Sequence, residues 1–173
     1  NTMSKLEAAT AAALQRRRLM PNLRGVPPRG DPTGGTPVYA ASIGYVQRVD
    51  VPALQDYAEQ RQVTIVLAAQ PGKLVLPGRV LAYVRGDVGD TDAADHPSPI
   101  EKAFLIGKER TFDEDPRFGL VVLSEIASKA LSPAVNDPGT ALGVITTQVR
   151  LLSRWSEPLG EHELQAPSCE RVE

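Results

Sequence analysis

The spacing of hydrophobic positions changes near residue 97 and divides the chain into a strand-rich part and a helical part. Between residues 37 and 84, short β-branched runs such as Val63–Leu67 alternate with Pro-Gly turns, which is typical of strands. Between residues 98 and 155, apolar residues recur three or four positions apart, which is typical of helices. We therefore predict an α+β fold.

An additional helix is predicted at the start of the chain. Ser4–Glu7 has the pattern of a capping box, and an alanine-rich run follows it as far as Pro21. The predicted organisation is an N-terminal helix at 1–20, a linker at 21–36, a β-rich lobe at 37–95, a helical lobe at 96–155 and a disordered tail at 156–173.

Serine or aspartate next to proline marks three helix starts in the second half of the chain. Ser98-Pro99 predicts a helix that ends at Gly107. Asp115-Pro116 and Asn136-Asp137-Pro138 predict two more. A short polar side chain caps a helix by accepting from an amide two or three residues on, and proline lacks the amide that would go unbonded. We predict that Asp115 and Asp137 are N-caps.

The last predicted helix carries a narrow apolar stripe, which we call the seam. Its members follow 3-4-3 spacing: Leu142, Ile145, Val149 and Leu152. Such a stripe is too narrow for a helix buried all round and is typical of contact with one partner helix. The partner could be the first helix, whose Leu6, Ala9 and Ala13 have matching spacing, or a second copy across a two-fold axis.

Composition excludes several classes of protein. The net charge of −2 over 173 residues creates no field for nucleic acid, and Arg16–Arg18 lack aromatic neighbours on which bases could stack. The single cysteine, Cys169, allows neither an internal disulfide nor a cysteine-based metal site. No apolar run approaches the ~18 residues of a membrane span. We predict no nucleic-acid partner, no metal and no cofactor.

An acidic loop after the strands invites a calcium interpretation. Its carboxylates are Asp87, Asp90, Asp92 and Asp95. The loop lacks the glycine and the terminal glutamate of an EF-hand, so we interpret it as solvated. His96 and His162 are too far apart in sequence to suggest a histidine-based site.

Residues 107–141 resemble the signature of a bacterial family of predicted integral membrane proteins, the domain of unknown function 2254 family. The hallmark reads R-T-x-x-x-D-x-x-F-G-L and then A-L-S-P-x-x-N-D-P-x-T-A. The first half is filled by Arg110, Thr111, Asp115, Phe118, Gly119 and Leu120, and the second by Ala130–Pro133, Asn136–Pro138, Thr140 and Ala141. Gly44–Asp50 and the glycines after it also look like that family.

The resemblance implies a setting but no reaction. It implies several transmembrane helices before this domain, and we expect the chain to be part of a longer protein of the inner membrane. The basic stretch Arg16–Arg18 and the lone cysteine favour a cytoplasmic face. The β part also resembles half of a lipoyl- or biotinyl-type barrel-sandwich, but Lys73 lacks the residues that flank a modified lysine there.

The polar residues of the signature can be interpreted in two ways. They are Arg110, Thr111, Asp115, Ser132, Asn136, Asp137 and Thr140. In the structural interpretation they are caps and turn residues, with Arg110 paired to buried Asp137 so that the two helix starts are tied together. In the functional interpretation Arg110, Asp115, Asn136 and Asp137 line a small-molecule pocket.

These alternatives predict different classes of protein. The structural interpretation favours a non-enzymatic module for assembly, partner binding or gating, which we prefer because no catalytic constellation is visible. The functional one would make the chain an enzyme or a ligand-binding domain, and it stays open here. We assign no catalytic residue.

Overall fold

The computed structural model of the chain describes residues 2–87, 98–160 and 162–173. The fold is α+β, as the sequence predicts. In chain order the elements are α1 (Thr2–Leu19), β1 (Thr36–Tyr39), β2 (Gly44–Val49), α2 (Val51–Arg61), β3 (Thr64–Leu67), β4 (Leu74–Val75), β5 (Val80–Arg85), α3 (Pro99–Lys102), β6 (Phe104–Gly107), α4 (Phe118–Ala130) and α5 (Pro138–Ser156).

These elements form two compact units. The helical unit consists of Asn1–Leu19 and Thr111–Leu164, and the β unit consists of Met20–Arg110 and Gln165–Glu173. Each unit has a hydrophobic core of its own. Each core is therefore built from segments far apart in the sequence.

The β unit contains two antiparallel sheets of three strands. Their strand orders are β1-β5-β3 and β4-β2-β6. Leu54 of α2, Ile65 of β3 and Leu81 of β5 are fully buried in the core of this unit. Over the described residues these are two separate small sheets and not a closed barrel.

Phe104–Gly107 was expected to be helical, and that prediction is wrong. The start is as predicted, because the Ser98 hydroxyl accepts a hydrogen bond from the Glu101 amide at 3.1 Å. The helix ends after Lys102, and the next residues form β6, which pairs with β2. A Cβ on Gly107 would lie 2.4 Å from the Gln47 amide nitrogen, so glycine permits this close pairing. Short apolar runs do not distinguish strand from helix by periodicity alone.

The expectation of a disordered tail is wrong for residues 165–173. Cys169 and Val172 are buried in the core of the β unit. The segment predicted as a linker contacts them, because the Val26 amide donates to the Val172 carbonyl at 2.8 Å. Two apolar side chains and main-chain hydrogen bonds are enough to order an otherwise polar sequence.

The helical unit packs α1, α4 and α5 around one core. Its buried members are Leu6, Leu14, Leu123, Val144 and Leu151. The backbones of α1 and α4 approach closely where Thr10 meets Gly119. Thr10 is almost completely buried, and its hydroxyl donates to the Leu6 carbonyl at 2.7 Å. A Cβ on Gly119 would lie 1.8 Å from the Thr10 hydroxyl oxygen, so only glycine fits there.

Gly119→Ala is expected to destabilise the helical unit by about 1–3 kcal/mol, because the new methyl group overlaps the packed Thr10 side chain. The matched control is Gly143→Ala on α5, where a Cβ meets nothing within 4 Å. That change should be neutral or stabilising, by up to about 1 kcal/mol, since alanine favours helix more than glycine does. Urea unfolding of both variants measures the difference. Equal midpoints would contradict the close contact.

Candidate functional site

Most of the second half of the signature forms the turn between α4 and α5. The Asn136 amide donates to the Ser132 carbonyl and the Asp137 amide to the Ala130 carbonyl, both at 2.8 Å. The Ser132 hydroxyl donates to the Lys129 carbonyl at 2.7 Å. The bonds to the Lys129 and Ala130 carbonyls satisfy acceptors that the end of α4 leaves free, and the bond to Ser132 closes the turn itself. Asn136 has a φ of 48°, a left-handed conformation that asparagine tolerates better than most residues.

Asp137 is the N-cap of α5, as predicted. Its carboxylate accepts from the Thr140 amide at 3.1 Å and from the Thr140 hydroxyl at 2.6 Å. The hydroxyl bond is the main reason that the pKa of Asp137 lies below its ordinary value, and the amide bond adds to the effect. Asp137 is exposed, so the expected burial of this carboxylate is wrong.

Asp115 was predicted to be an N-cap, and this is wrong. Helix α4 begins three residues later, with Arg117 at its cap position and no side-chain cap bond. Asp115 instead accepts from the Arg117 amide at 3.2 Å and shapes the turn before the helix. Asp115 is only 2 % exposed, which places a buried carboxylate at this turn.

Within the helical unit, Asp115 lies apart from Asn136 and Asp137. Asp115 precedes α4, whereas Asn136 and Asp137 follow it, and α4 has 13 residues. A helix of that length spans about 20 Å, so Asp115 and Asp137 lie at opposite ends of α4. Arg110 is the last residue of the β unit's first segment, and Thr111 is the first residue of the helical unit's second segment. Both side chains are half-buried. Which group Arg110 bonds stays a prediction.

The arginines of α1 hold the loop before α4, which the sequence did not reveal. The Arg16 Nε donates to the Asp113 carbonyl at 2.9 Å, and Arg17 reaches the Glu114 carbonyl at 3.4 Å. Burial lowers the pKa of Arg17 and so does the charge of Arg117, while Glu114 and Asp115 raise it. The sequence around Arg16 and Arg17 carries no signal of this contact.

The seam faces solvent. Its exposed fractions are 64 % for Leu142, 53 % for Ile145, 57 % for Val149 and 49 % for Leu152. The face of α5 that packs in the unit carries Ala141, Val144, Thr147 and Leu151 instead. Packing of the seam on α1, one of the two predicted alternatives, is therefore wrong.

The seam runs beside a shallow groove on α4. Gln148, which lies between Ile145 and Leu152 in sequence, donates to the Leu120 carbonyl at 3.3 Å and to the Ser124 hydroxyl at 3.0 Å. That contact places the exposed side of α4 next to the seam. The groove has a volume of about 490 Å³ and is lined by Arg117, Leu120, Val121, Ser124, Glu125 and Ser128. Glu125 is exposed.

Chemistry-bearing residues elsewhere in the described part of the chain form no recognisable centre. Within residues 2–87, 98–160 and 162–173, no three His, Cys, Asp or Glu residues are grouped to hold a metal ion. Asp90, Asp92, Asp95 and His96 of the acidic loop lie outside the described residues. The Lys73 ammonium donates to the Ala68 carbonyl at 3.2 Å.

A polar pocket of about 570 Å³ between α1 and α5 includes Thr140, and the Glu7–Arg150 ion pair forms part of its wall.

Asp137→Ala is expected to lower the melting temperature by a few degrees at neutral pH, because α5 loses its cap. The folded-state pKa of Asp137 is below the unfolded value of about 3.9, so the cap stabilises the fold above that pH. The stabilisation is lost as the pH falls through the folded-state pKa. The two melting temperatures should therefore converge in acid.

Asp137→Asn is the control, because asparagine also caps helices but does not titrate. It should keep most of the stability at neutral pH and change little with acid at this site. Thermal scans by circular dichroism across the acid range test both variants. A gap between Asp137→Ala and the original chain that stays constant down to the lowest pH would contradict the role of this carboxylate.

Comparison with known proteins agrees with the motifs. An uncharacterized protein of Mycobacterium tuberculosis and one of Mycobacterium bovis are each 37 % identical over 120 residues. The match covers 68 % of this chain and 23 % of each relative, so the chain matches about a quarter of the length of those relatives. No solved structure matches. No helix among the described residues is both long and apolar enough to cross a bilayer. Residues 1–171 match the family described as predicted membrane protein (DUF2254), and the chain belongs to that family.

Proposed function

We propose that this chain is an assembly module of a membrane protein and that two copies meet along the seam across a two-fold axis. The exposed seam is the observation that carries the proposal. Exposed apolar side chains are ordinary when scattered, but a contiguous row marks a contact surface. The four seam residues lie on successive turns of one helix and are each about half exposed or more.

The chemistry of the seam suits a second copy of itself. Its four residues are uncharged, so an identical seam can approach without repulsion between like charges. In a two-fold interface the same surface serves both partners, and the two α5 helices run antiparallel or cross at an angle. The 3-4-3 spacing is the spacing with which the side chains of one helix fit between those of another.

The small area of the seam predicts that the dimer is weak. Four half-exposed aliphatic side chains supply roughly a few hundred Å², whereas a stable interface buries about 800 Å² on each partner. Val121 is 39 % exposed on the neighbouring side of α4 and enlarges the apolar surface. Two copies anchored in one membrane would meet at a high effective concentration, so weak contact is sufficient there. A gating role follows if the contact changes when the parent protein changes state.

Ile145→Glu combined with Val149→Glu should abolish the pair, because it buries two carboxylates without partners in the middle of the seam. Sedimentation equilibrium at protein concentrations up to about 1 mM, where weak association becomes visible, should show dimer for the original chain and monomer for this variant. Circular dichroism establishes that the variant is folded, which is expected because both positions are exposed.

The matched control is Thr146→Glu combined with Ser153→Glu. These residues are exposed on the same helix but outside the seam, and the variant carries the same added charge. It should keep the dimer mass. Monomer mass for the original chain at every concentration would overturn the proposal, and so would loss of the dimer in both variants alike.

We also propose that this part of the parent protein faces the cytoplasm. The support is the basic stretch Arg16–Arg18 and the free, buried Cys169. In the full-length parent, Gly143→Cys would place a thiol at an open position on α5. A membrane-impermeant maleimide should label it in lysed cells and not in intact spheroplasts. Labelling of intact spheroplasts would place the domain on the other face.

A further inference from the structure

The exposed face of α4 carries two opposite charges placed symmetrically about an apolar residue. Arg117 lies four residues before Val121, and Glu125 lies four residues after it. Residues four apart on a helix share one face, so the three side chains form a row about 12 Å long. Arg117 and Glu125 are exposed, and Val121 between them is 39 % exposed. Along the helix the row is therefore positive, apolar and then negative.

A row of this kind is complementary to a copy of itself that runs in the opposite direction. A two-fold axis through Val121 reverses α4, so that the partner's Glu125 comes beside Arg117 and the partner's Arg117 beside Glu125. The two Val121 side chains then meet at the axis. A parallel copy in the same register would place like charges against each other, which is unfavourable. The charges therefore favour one direction of pairing.

Both charged side chains are available to a partner. Eight residues separate Arg117 from Glu125, which is too far for direct contact along the helix. Among the residues that the structure describes, neither side chain forms an ion pair. A charge contributed by a second chain would consequently compete with water only, and not with an existing partner.

The surface around the row can be buried without losing hydrogen bonds. Ser124 and Ser128 line the groove of α4 with small side chains. Their hydroxyls donate to the Leu120 and Ser124 carbonyls of the same helix, each at 2.9 Å. A helix packed on them would therefore leave no hydroxyl donor without an acceptor. Small side chains between larger ones also form the kind of groove into which the ridges of another helix fit.

The row on α4 and the seam on α5 lie at the same height of the helical hairpin. Gln148 lies near the middle of the seam in sequence, and it bonds Leu120 at 3.3 Å and Ser124 at 3.0 Å. These two residues flank Val121. The middle of the seam is therefore within about one helical turn of Val121 along the hairpin. A single two-fold axis across both helices can thus serve the row and the seam together.

We propose that the groove of α4 forms the second half of the two-fold interface, in which Arg117 pairs with the partner's Glu125 and Glu125 pairs with the partner's Arg117. This inference rests on the proposed dimer and adds to it the direction and the register of the pairing. The α4 helices then pack antiparallel beside the antiparallel α5 helices, as in a four-helix bundle. The groove also supplies contact area that the seam alone lacks.

Reversing one charge at a time tests the pairing. In a dimer, Arg117→Glu sets two carboxylates against each other at both contacts, and Glu125→Arg sets two guanidiniums against each other. Each variant alone should dimerise about tenfold more weakly or worse. An equimolar mixture of the two variants should dimerise again, because both contacts of the mixed pair then join opposite charges. The double variant should dimerise like the original chain for the same reason.

Sedimentation equilibrium is measured at a concentration at which about half of the original chain is dimeric, and circular dichroism establishes that each variant is folded. Net charge cannot mimic the expected pattern, because Glu125→Arg removes the chain's net charge of −2 and yet should weaken the dimer. The matched control for Arg117→Glu is Lys5→Glu. Lys5 is exposed on α1, outside the groove and the seam, and this variant carries the same change of charge. It should keep the dimer mass.

The outcomes separate this inference from the proposed dimer itself. Monomer mass for the original chain at every concentration would refute both. A dimer that is lost on placing charges at Ile145 and Val149, but is unchanged by either single reversal on α4, would overturn the pairing and leave the seam in place. A mixture of the two single variants that stays monomeric would also overturn the pairing, since reciprocal contacts across a two-fold axis require it to dimerise.

Discussion

The turn between α4 and α5 decides which surface of the helical unit is left for contact. Hydrogen bonds from Asn136 and Asp137 end one helix, and the Asp137 carboxylate starts the next. The two helices therefore lie side by side, with Gln148 bonded to the α4 backbone. Once that pairing is set, Val144 and Leu151 are buried and the seam is left on the free side of α5.

Features governed by local chemistry could be predicted from the sequence. Ser98 and Asp137 cap helices because the side chain needs only an amide three residues away. The order of strands and then helices follows from the spacing of apolar residues, which can be measured within short stretches of the sequence. The Asn136-Asp137-Pro138 motif identifies its helix start without reference to any other part of the fold.

Features that depend on distant residues could not be predicted in the same way. Phe104–Gly107 is a strand because β2 offers it an edge, and nothing within the segment encodes that edge. Val172 is buried because β3 and Val26 lie around it, although its neighbours in sequence are charged. The seam was identified correctly as a stripe, but Ala141, Val144 and Leu151 form a second stripe on the same helix. Periodicity finds stripes and does not tell which of them the rest of the fold covers.

The most recognisable residues of this chain serve backbone geometry. The hydrogen bonds of Ser132, Asn136 and Asp137 are made within the turn. Asp115 accepts a hydrogen bond from the Arg117 amide. A site for a small molecule needs polar groups that converge on one space, and about 20 Å of helix separates Asp115 from Asp137. These residues form the turn of a helical hairpin in which α5 carries the exposed apolar seam. The motif therefore bears on function through the surface that it positions, and not through a site of its own.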